Sequence, residues 1–256
     1  MNTRTIERAM PWAVTIGLFV IWELSCIFFE LPVFILPAPS DIWVEAVKFA
    51  PELAYHSAQT LYTTLVGFAL AVAVGVALGA AIGSSRMVYR GLYPVLIGFN
   101  SIPKVALVPI LVIWFGIGTV PAVLTAFVIS FFPIAVNVAT GLATIERDMT
   151  DVLRSLGATR RDILIKVGLP RTMPYLFASL KVAITLAFVG SVIAETVASN
   201  KGIGYLMLSA SANYNVPLVF AGLLVLAVLG VLMYAATAVL EMRTSAWAFR
   251  DSHLVQ

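Results

Sequence analysis

The sequence predicts an all-α membrane protein with six spanning helices, and three observations carry that prediction. Of the 256 residues, 61% are apolar and only 11% are charged, far from the about one-quarter charged residues of a soluble domain. Six apolar runs are each long enough to cross a hydrocarbon core that takes about 20 helical residues. None of these runs alternates with period two, which leaves helices rather than the strands of a closed barrel. A soluble globule of this size would have too few charges to cover its surface. The net charge of +3 is too weak and too interspersed with apolar runs to suggest nucleic acid.

The first run, 12–29, follows Arg4 and Arg8. It is too long for the apolar region of a signal peptide and has no small-residue cleavage site, so it reads as a retained span. Leu24-Ser25-Cys26 hints at a lipoprotein site, but Glu23 stands where such a site wants an apolar residue. A charge there is costly, so Glu23 is expected to hold a proton or bond to a neighbour. No other span offers a matching central carboxylate for a proton relay. The stretch 31–60 follows, in which Leu36-Pro37-Ala38-Pro39-Ser40-Asp41 suits a turn that caps a short helix.

The second run, 61–83, carries Gly67, Ala71, Gly75, Gly79 and Gly83 at four-residue spacing. Small residues on one helix face let another backbone approach, in the same chain or in a second copy. The third run, 92–115, holds Pro94, Pro103 and Pro109 with Asn100, Ser101 and Lys104. It predicts an interfacial helix, a break and a kinked span rather than one rod. Lys104 at that break suits either an anion or an interfacial anchor. The fourth run is 119–142. The fifth, 175–197, has a stripe of Ser179, Ala183, Ala187, Ser191 and Glu195, and Glu195 either borders a pathway or gate or reaches interfacial water. Lys181 is expected to snorkel back to the interface. The sixth run is 216–240.

With the N-terminus inside, one side of the membrane collects Arg4, Arg8, Arg86, Arg90, Arg147, Arg154, Arg160, Arg161, Lys166, Arg171, Arg243 and Arg250, and the other only Lys48 and Lys201. That asymmetry predicts cytoplasmic N and C termini. The single cysteine, Cys26, allows no internal disulfide, and His56 and His253 form no metal pattern. No second domain or repeat interrupts residues 1–256.

About a third of the charges fall in the cytoplasmic stretch 145–174. Arg147 to Leu156 suit a short helix with Val152, Leu153 and Leu156 on one side, and Gly157 suits a left-handed C-terminal cap. Thr159 can cap a second short helix, with Asp162 favouring its N-terminus and Ile163, Leu164 and Val167 as its apolar face. Leu169-Pro170 is expected to end that helix, and Pro174 to start the fifth span. The apolar side chains stand beyond any span that covers them, a surface that suits a partner or, failing that, lipid headgroups.

Asp151-Val152-Leu153, then Gly157, then Val167-Gly168-Leu169-Pro170 resembles the EAA loop of bacterial ABC importer permeases. The family pattern is Glu-Ala-Ala, three residues, Gly, nine residues, Ile, one residue, Leu-Pro, and the spacing here is the same. Asp151 stands for Glu, Val152 and Leu153 for the alanines, and Val167 for Ile. Ile102-Pro103-Lys104-Val105-Ala106-Leu107-Val108-Pro109 through Trp114-Phe115-Gly116-Ile117-Gly118 is similar to a signature of the nitrate/sulfonate/taurine-type permeases. Leu36-Pro37-Ala38-Pro39-Ser40, and Ala194-Glu195 followed by Gly202-Ile203-Gly204-Tyr205-Leu206, resemble two further segments of that group.

The resemblance implies a type I ABC importer permease fold, a multi-pass protein of the bacterial inner membrane, and a pair of copies, commonly a homodimer. It implies two ATP-binding subunits on the cytoplasmic face and a periplasmic substrate-binding protein on the other. The segment from Asp151 to Arg161 would be the coupling helix, with Asp151, Val152, Leu153, Leu156, Gly157, Ala158, Arg160 and Arg161 as its ATPase-contact candidates. Asn100, Ser101, Lys104 and Glu195 are the candidates for the translocation pathway or gate. The substrate classes of the subgroup are sulfonates, nitrate, taurine, bicarbonate, pyrimidine precursors and aromatic acids. The sequence holds no Gly-rich loop ending in Gly-Lys-Ser/Thr, so ATP is expected on the partner subunit. No metal or other cofactor and no catalytic residue is expected on this chain. An ion-gradient-driven secondary transporter would need paired intramembrane carboxylates or an inverted repeat. An intramembrane enzyme would need a Ser/His or Asp/Asp constellation inside the spans. The sequence shows neither.

Overall fold

The computed structural model describes residues 3–144 and 147–244. Ile145, Arg250 and His253, and the side chains of Arg4, Arg8, Arg86, Arg147, Arg160 and Leu164, lie outside the described residues. Every regular element among the described residues is helical. Helix α1 (Thr3–Phe28) leads to a short α2 (Pro39–Lys48) and a long α3 (Ala50–Gly83). Helix α4 (Arg86–Asn100), a 3-10 turn (Lys104–Leu107) and α5 (Val108–Phe115) form one bent pair, with a change of direction of 77° at Ser101–Pro103. Then come α6 (Thr119–Ala143), α7 (Arg147–Ser155), α8 (Arg160–Ile163), α9 (Leu169–Ala198), α10 (Ile203–Ala212) and α11 (Val216–Thr244).

The glycine stripe of α3 packs within the chain. A Cβ on Gly67 would stand 2.6 Å from Ala126 Cβ, on Gly75 2.9 Å from Ile134 Cβ, on Gly79 2.6 Å from the Ala135 carbonyl and on Gly83 2.7 Å from the Ala139 carbonyl. All four contacts are on α6, so the stripe lets two backbones touch where lipid supplies no hydrophobic drive between helices. Helix α9 fills the remaining side with its own small face: Ser179, Ala183, Ala187, Ser191 and Glu195 are all buried. Phe177 and Leu180 of α9 join Ala71, Ile134, Val138 and Leu142 in one apolar cluster.

These contacts fix direction as well as proximity. Pairing rises together along both chains, from Gly67 with Ala126 to Gly83 with Leu142, so α3 and α6 run parallel. The segment joining parallel helices must carry the chain back across the bundle. The bent pair is therefore a crossing, not a loop that returns to the side it left. By helix rise, its two arms at 77° span end to end about 30 Å, the thickness of a hydrocarbon core. Five straight helices are long and apolar enough to cross, and the bent pair makes the sixth span. Helix α9 runs antiparallel to both, from Thr172 beside Gly141 to Ser191 beside Thr63.

Two expectations about charges resolve into specific bonds. Glu23 of α1 accepts from the Ser40 amide at 3.0 Å and the Ser40 hydroxyl at 2.7 Å, so it caps the start of α2 from another helix. Lys181 reaches toward the end at which α9 starts and α11 finishes, where its ammonium lies 2.8 Å from Glu241 and ties α11 to α9. One boundary differs. Leu169-Pro170 does not end a helix, because a wide π turn (Leu164–Gly168) leads straight into α9. Pro170 sits in the first turn of α9, where its missing N–H leaves no bond unmade, and Pro174 lies inside that helix.

Replacing Gly79 with leucine is expected to wedge α3 from α6 and lower stability by about 1–3 kcal/mol, read as a lower melting temperature in detergent. Gly91→Ala is the control, since a Cβ there meets nothing within 4 Å, and its melting point is expected to match or exceed the parent's.

Candidate functional site

The segment between α6 and α9 folds as local chemistry dictates. Helix α7 closes in a Schellman motif: the Ala158 amide donates to Leu153 O at 3.0 Å and the Gly157 amide to Arg154 O at 2.9 Å. The motif needs a left-handed residue, and Gly157 supplies it with φ +86°. Helix α8 opens with a reciprocal capping box, in which the Asp162 amide donates to Thr159 Oγ1 at 3.1 Å and the Thr159 amide to the Asp162 carboxylate at 3.2 Å. Lys166 pairs with the same carboxylate at 3.2 Å. At the base, Ile163 is buried, and Arg171 at the start of α9 donates to Met149 Sδ of α7 at 3.7 Å.

This rigid turn displays side chains rather than hiding them. Leu156 is 79% exposed and Val152 59%, while Leu153 and Ala158 are half-buried. Asp151 and Arg154 pair at 3.7 Å on the exposed face, and Arg161 is also exposed. Arg160 opens α8, with its side chain outside the described residues. Two large apolar groups held in the open by a fixed backbone form a surface made for contact.

At the opposite end of α9, Glu195 is 1% exposed. Its carboxylate accepts from Thr60 Oγ1 at 2.8 Å, Thr63 Oγ1 at 3.2 Å, Ser191 Oγ at 3.4 Å and the Gly204 amide at 3.2 Å. Thr60 Oγ1 in turn accepts from the Ile203 amide at 2.9 Å, and His56 Nδ1 from the Gly202 amide at 3.0 Å. The start of α10 is thus capped by side chains of α3 and α9, which satisfy three successive N–H groups. A buried carboxylate is tolerable with this many donors. The glycines follow from the same geometry. A Cβ on Gly202 (φ +101°) would land on the Glu195 carboxyl, and one on Gly204 would come 2.5 Å from Val192 O.

Asn100 and Lys104 meet at the helix break. Lys104 Nζ donates to Asn100 O at 2.6 Å and to Asn100 Oδ1 at 2.9 Å, and lies 5.2 Å from the Phe132 ring. A cation on the last carbonyl of α4 offsets the negative end of that helix. Phe132 is near the middle of α6, so this ammonium sits at half the height of the bundle. Ser101 bonds back to Ile97 O at 3.1 Å. Glu195 shares no bond with this group.

The sequence reading gives Thr60 and Thr63 no role and takes His56 only as a histidine outside any metal pattern. Their spacings of four and three put them on one helix face, but Glu52, Ser57, Gln59 and Thr64 beside them hide that stripe in the sequence. It also missed α10 as a helix, although Ile203, Leu206 and Ala210 are buried at helical spacing and join Ile42 of α2 and Leu53 of α3.

The profile of the family described as "Binding-protein-dependent transport system inner membrane component" matches residues 62–246. The chain is 31% identical to the formylaminopyrimidine transport permease protein ThiX of Halalkalibacterium halodurans, over 93% of this chain and 95% of that one. It is 33% identical to the riboflavin transport system permease protein RibX of Chloroflexus aurantiacus, over 96% and 94%. It is 31% identical to the putative aliphatic sulfonates transport permease protein SsuC of Escherichia coli, over 94% and 92%. The fold matches the permease chain of an inward-facing MetNI methionine ABC transporter with a TM-score of 0.64 at 22% identity, over 72% of this chain and 92% of that one.

Glu195→Ala is expected to leave the Gly204 amide without its acceptor, at a cost of about 1–3 kcal/mol. Glu195→Gln keeps an acceptor oxygen and should cost less. Melting temperatures of the two purified variants check the order.

Proposed function

The chain belongs to the family of binding-protein-dependent transport system inner membrane components, a multi-pass permease subunit of an ABC importer, and on that premise we propose that α7, the Gly157 turn and α8 form the seat through which a partner ATPase drives it. The observation that carries this reading is the pairing of a fixed turn with exposed apolar groups. Val152 of α7 and Leu156 just after it project outward while Gly157 and the Thr159–Asp162 box hold the backbone that presents them. Asp151, Leu153, Ala158, Arg160 and Arg161 complete the contact. A groove on the ATPase that receives Leu156 would grip a segment built to transmit force rather than to yield.

In this reading the α7–α8 end faces the cytoplasm, as the basic residues require. Two copies of the chain pair around the pathway. Two ATP-binding subunits dock below and hydrolyse ATP, and a periplasmic binding protein delivers the solute to the α2–α10 end. The chain itself needs no cofactor. ATP-driven closure of the ATPases switches the spans between two packed arrangements. Asn100, Ser101 and Lys104 line the path at the broken span, because irregular backbone at membrane depth is tolerated where it borders protein or a water-filled cavity. Glu195 serves the gate end by holding α10 and the preceding loop in place.

The solute is a small molecule of the sulfonate, nitrate, taurine, bicarbonate, pyrimidine-precursor or aromatic-acid classes. Relatives named for a formylaminopyrimidine, riboflavin and aliphatic sulfonates stand at 31%, 33% and 31% identity. Identity at this level does not choose among them, and selection is assigned to the binding protein.

Gly157→Val forces a β-branched residue into a left-handed conformation at a cost of about 1–2 kcal/mol. The variant is expected to reach the membrane and retain ATP hydrolysis in the complex while solute uptake falls. Uptake at the parental rate per ATP would contradict the coupling role. Leu156→Asp is expected to lose the ATPase subunit on purification of the complex.

A further inference from the structure

We propose that His56 is a proton-sensitive latch: its neutral ring holds the 199–202 loop to α3, and its protonated ring lets that loop go. Gly202 donates its amide to His56 Nδ1 at 3.0 Å, so Nδ1 must carry a lone pair and the ring proton resides on Nε2. A protonated ring presents N–H at both nitrogens. Two donors then face each other where one bond existed. The new positive charge also lies against the start of α10, the positive end of a ten-residue helix.

The surroundings do not cancel that change. On α3, burial of the ring favours its neutral form and outweighs Glu52 one turn before it, while Tyr55 packs edge-on at 5.2 Å. On α10, Tyr205 lies 5.9 Å away. On α9, Glu195 is already committed to Thr60, Thr63, Ser191 and Gly204. Lys201, in the loop itself, lies over the Tyr55 ring at 5.9 Å. On α2, Glu45 is held by Lys48 and Asn215. Helix α6 has no titratable side chain, and those of α11 are Tyr234, Glu241 and Arg243, toward its other end. Only the Gly202 bond changes directly when the ring takes a proton. The adjoining bonds, Ile203 to Thr60 and Gly204 to Glu195, keep α10 itself in place.

Histidine titrates near pH 6.5 in water, and burial of the ring, which outweighs Glu52, holds this one below that value, so the latch opens only under acidic conditions. That the compartment sensed is the outside rests on the orientation given above. The latch itself does not, and it is tested without transport.

The experiment is hydrogen exchange at the Gly202 amide in the purified permease–ATPase complex at pH 8.0 and pH 5.5, corrected for the intrinsic exchange rate. Protection at Gly202 is expected to fall at least tenfold from the higher to the lower pH, with Ile203 and Gly204 changing less. His56→Asn places a non-titrating acceptor oxygen near the position of Nδ1 and is expected to keep protection at both pH values. His56→Phe removes the acceptor and should leave Gly202 unprotected at both. Equal protection of the parent protein at the two pH values overturns the proposal even if neither variant folds. A fall that persists in His56→Asn also overturns it, because the titrating group would then be other than His56.

Discussion

Contact between the bare backbones of α3 and α6 is the constraint on which the rest of this structure depends. In lipid, apolar side chains gain nothing by leaving their surroundings for one another, so helices hold together by shape and by buried polar bonds. Four glycines of α3 lie where a Cβ would strike α6. The order of those contacts shows the two helices to be parallel, and parallel neighbours force the chain between them to cross the membrane. The broken span of α4 and α5, with Lys104 capping the break, is the consequence. Peripheral helices have no such constraint, and α1 leaves most of its apolar side chains exposed.

Helix α9 completes the packed trio and joins the α7–α8 turn to the Glu195 end. At 30 residues it is about 45 Å long. One end continues from the α7–α8 turn through a π turn, and the other carries Glu195 and the bonds that hold α10. Buried small residues along its length leave little room for bending or sliding within one subunit. Under the proposed coupling, force applied at Gly157 would move the α10 end as part of the same body. A switch of the proposed kind would proceed by movement between bodies rather than by deformation inside them.

The legibility of these features in the sequence follows how local their causes are. Gly157 and the Thr159–Asp162 pair were readable because caps and turns are decided within four residues. The spacing of the α3 glycines announced a close helix contact but not its partner, since the same stripe serves a neighbour in the chain or a second copy. Glu195 was noticed as the carboxylate ending the α9 stripe, at a pathway or in interfacial water, yet its partners Thr60, Thr63 and Gly204 come from other elements and were not. Glu23 with Ser40 and Lys181 with Glu241 are of the same kind, because each charge is satisfied by a residue that only the fold brings near. Helix α10 was missed because a ten-residue helix beginning at Gly202-Ile203-Gly204 carries the punctuation of a loop. Its N-terminal cap comes from α3 and α9, so no capping residue precedes it in the chain.

The central claim is that Leu156, at the edge of the Gly157 turn, meets the ATP-binding subunit. Photo-crosslinking tests it most directly, with a photoreactive amino acid placed at Leu156 or, as control, at Tyr214, which is 85% exposed at the opposite end of the bundle. The predicted result is a crosslink from position 156 to the ATP-binding subunit in the assembled complex, and none to that subunit from position 214. A probe at 156 that labels only lipid, or a crosslink to the ATP-binding subunit from 214, would contradict it.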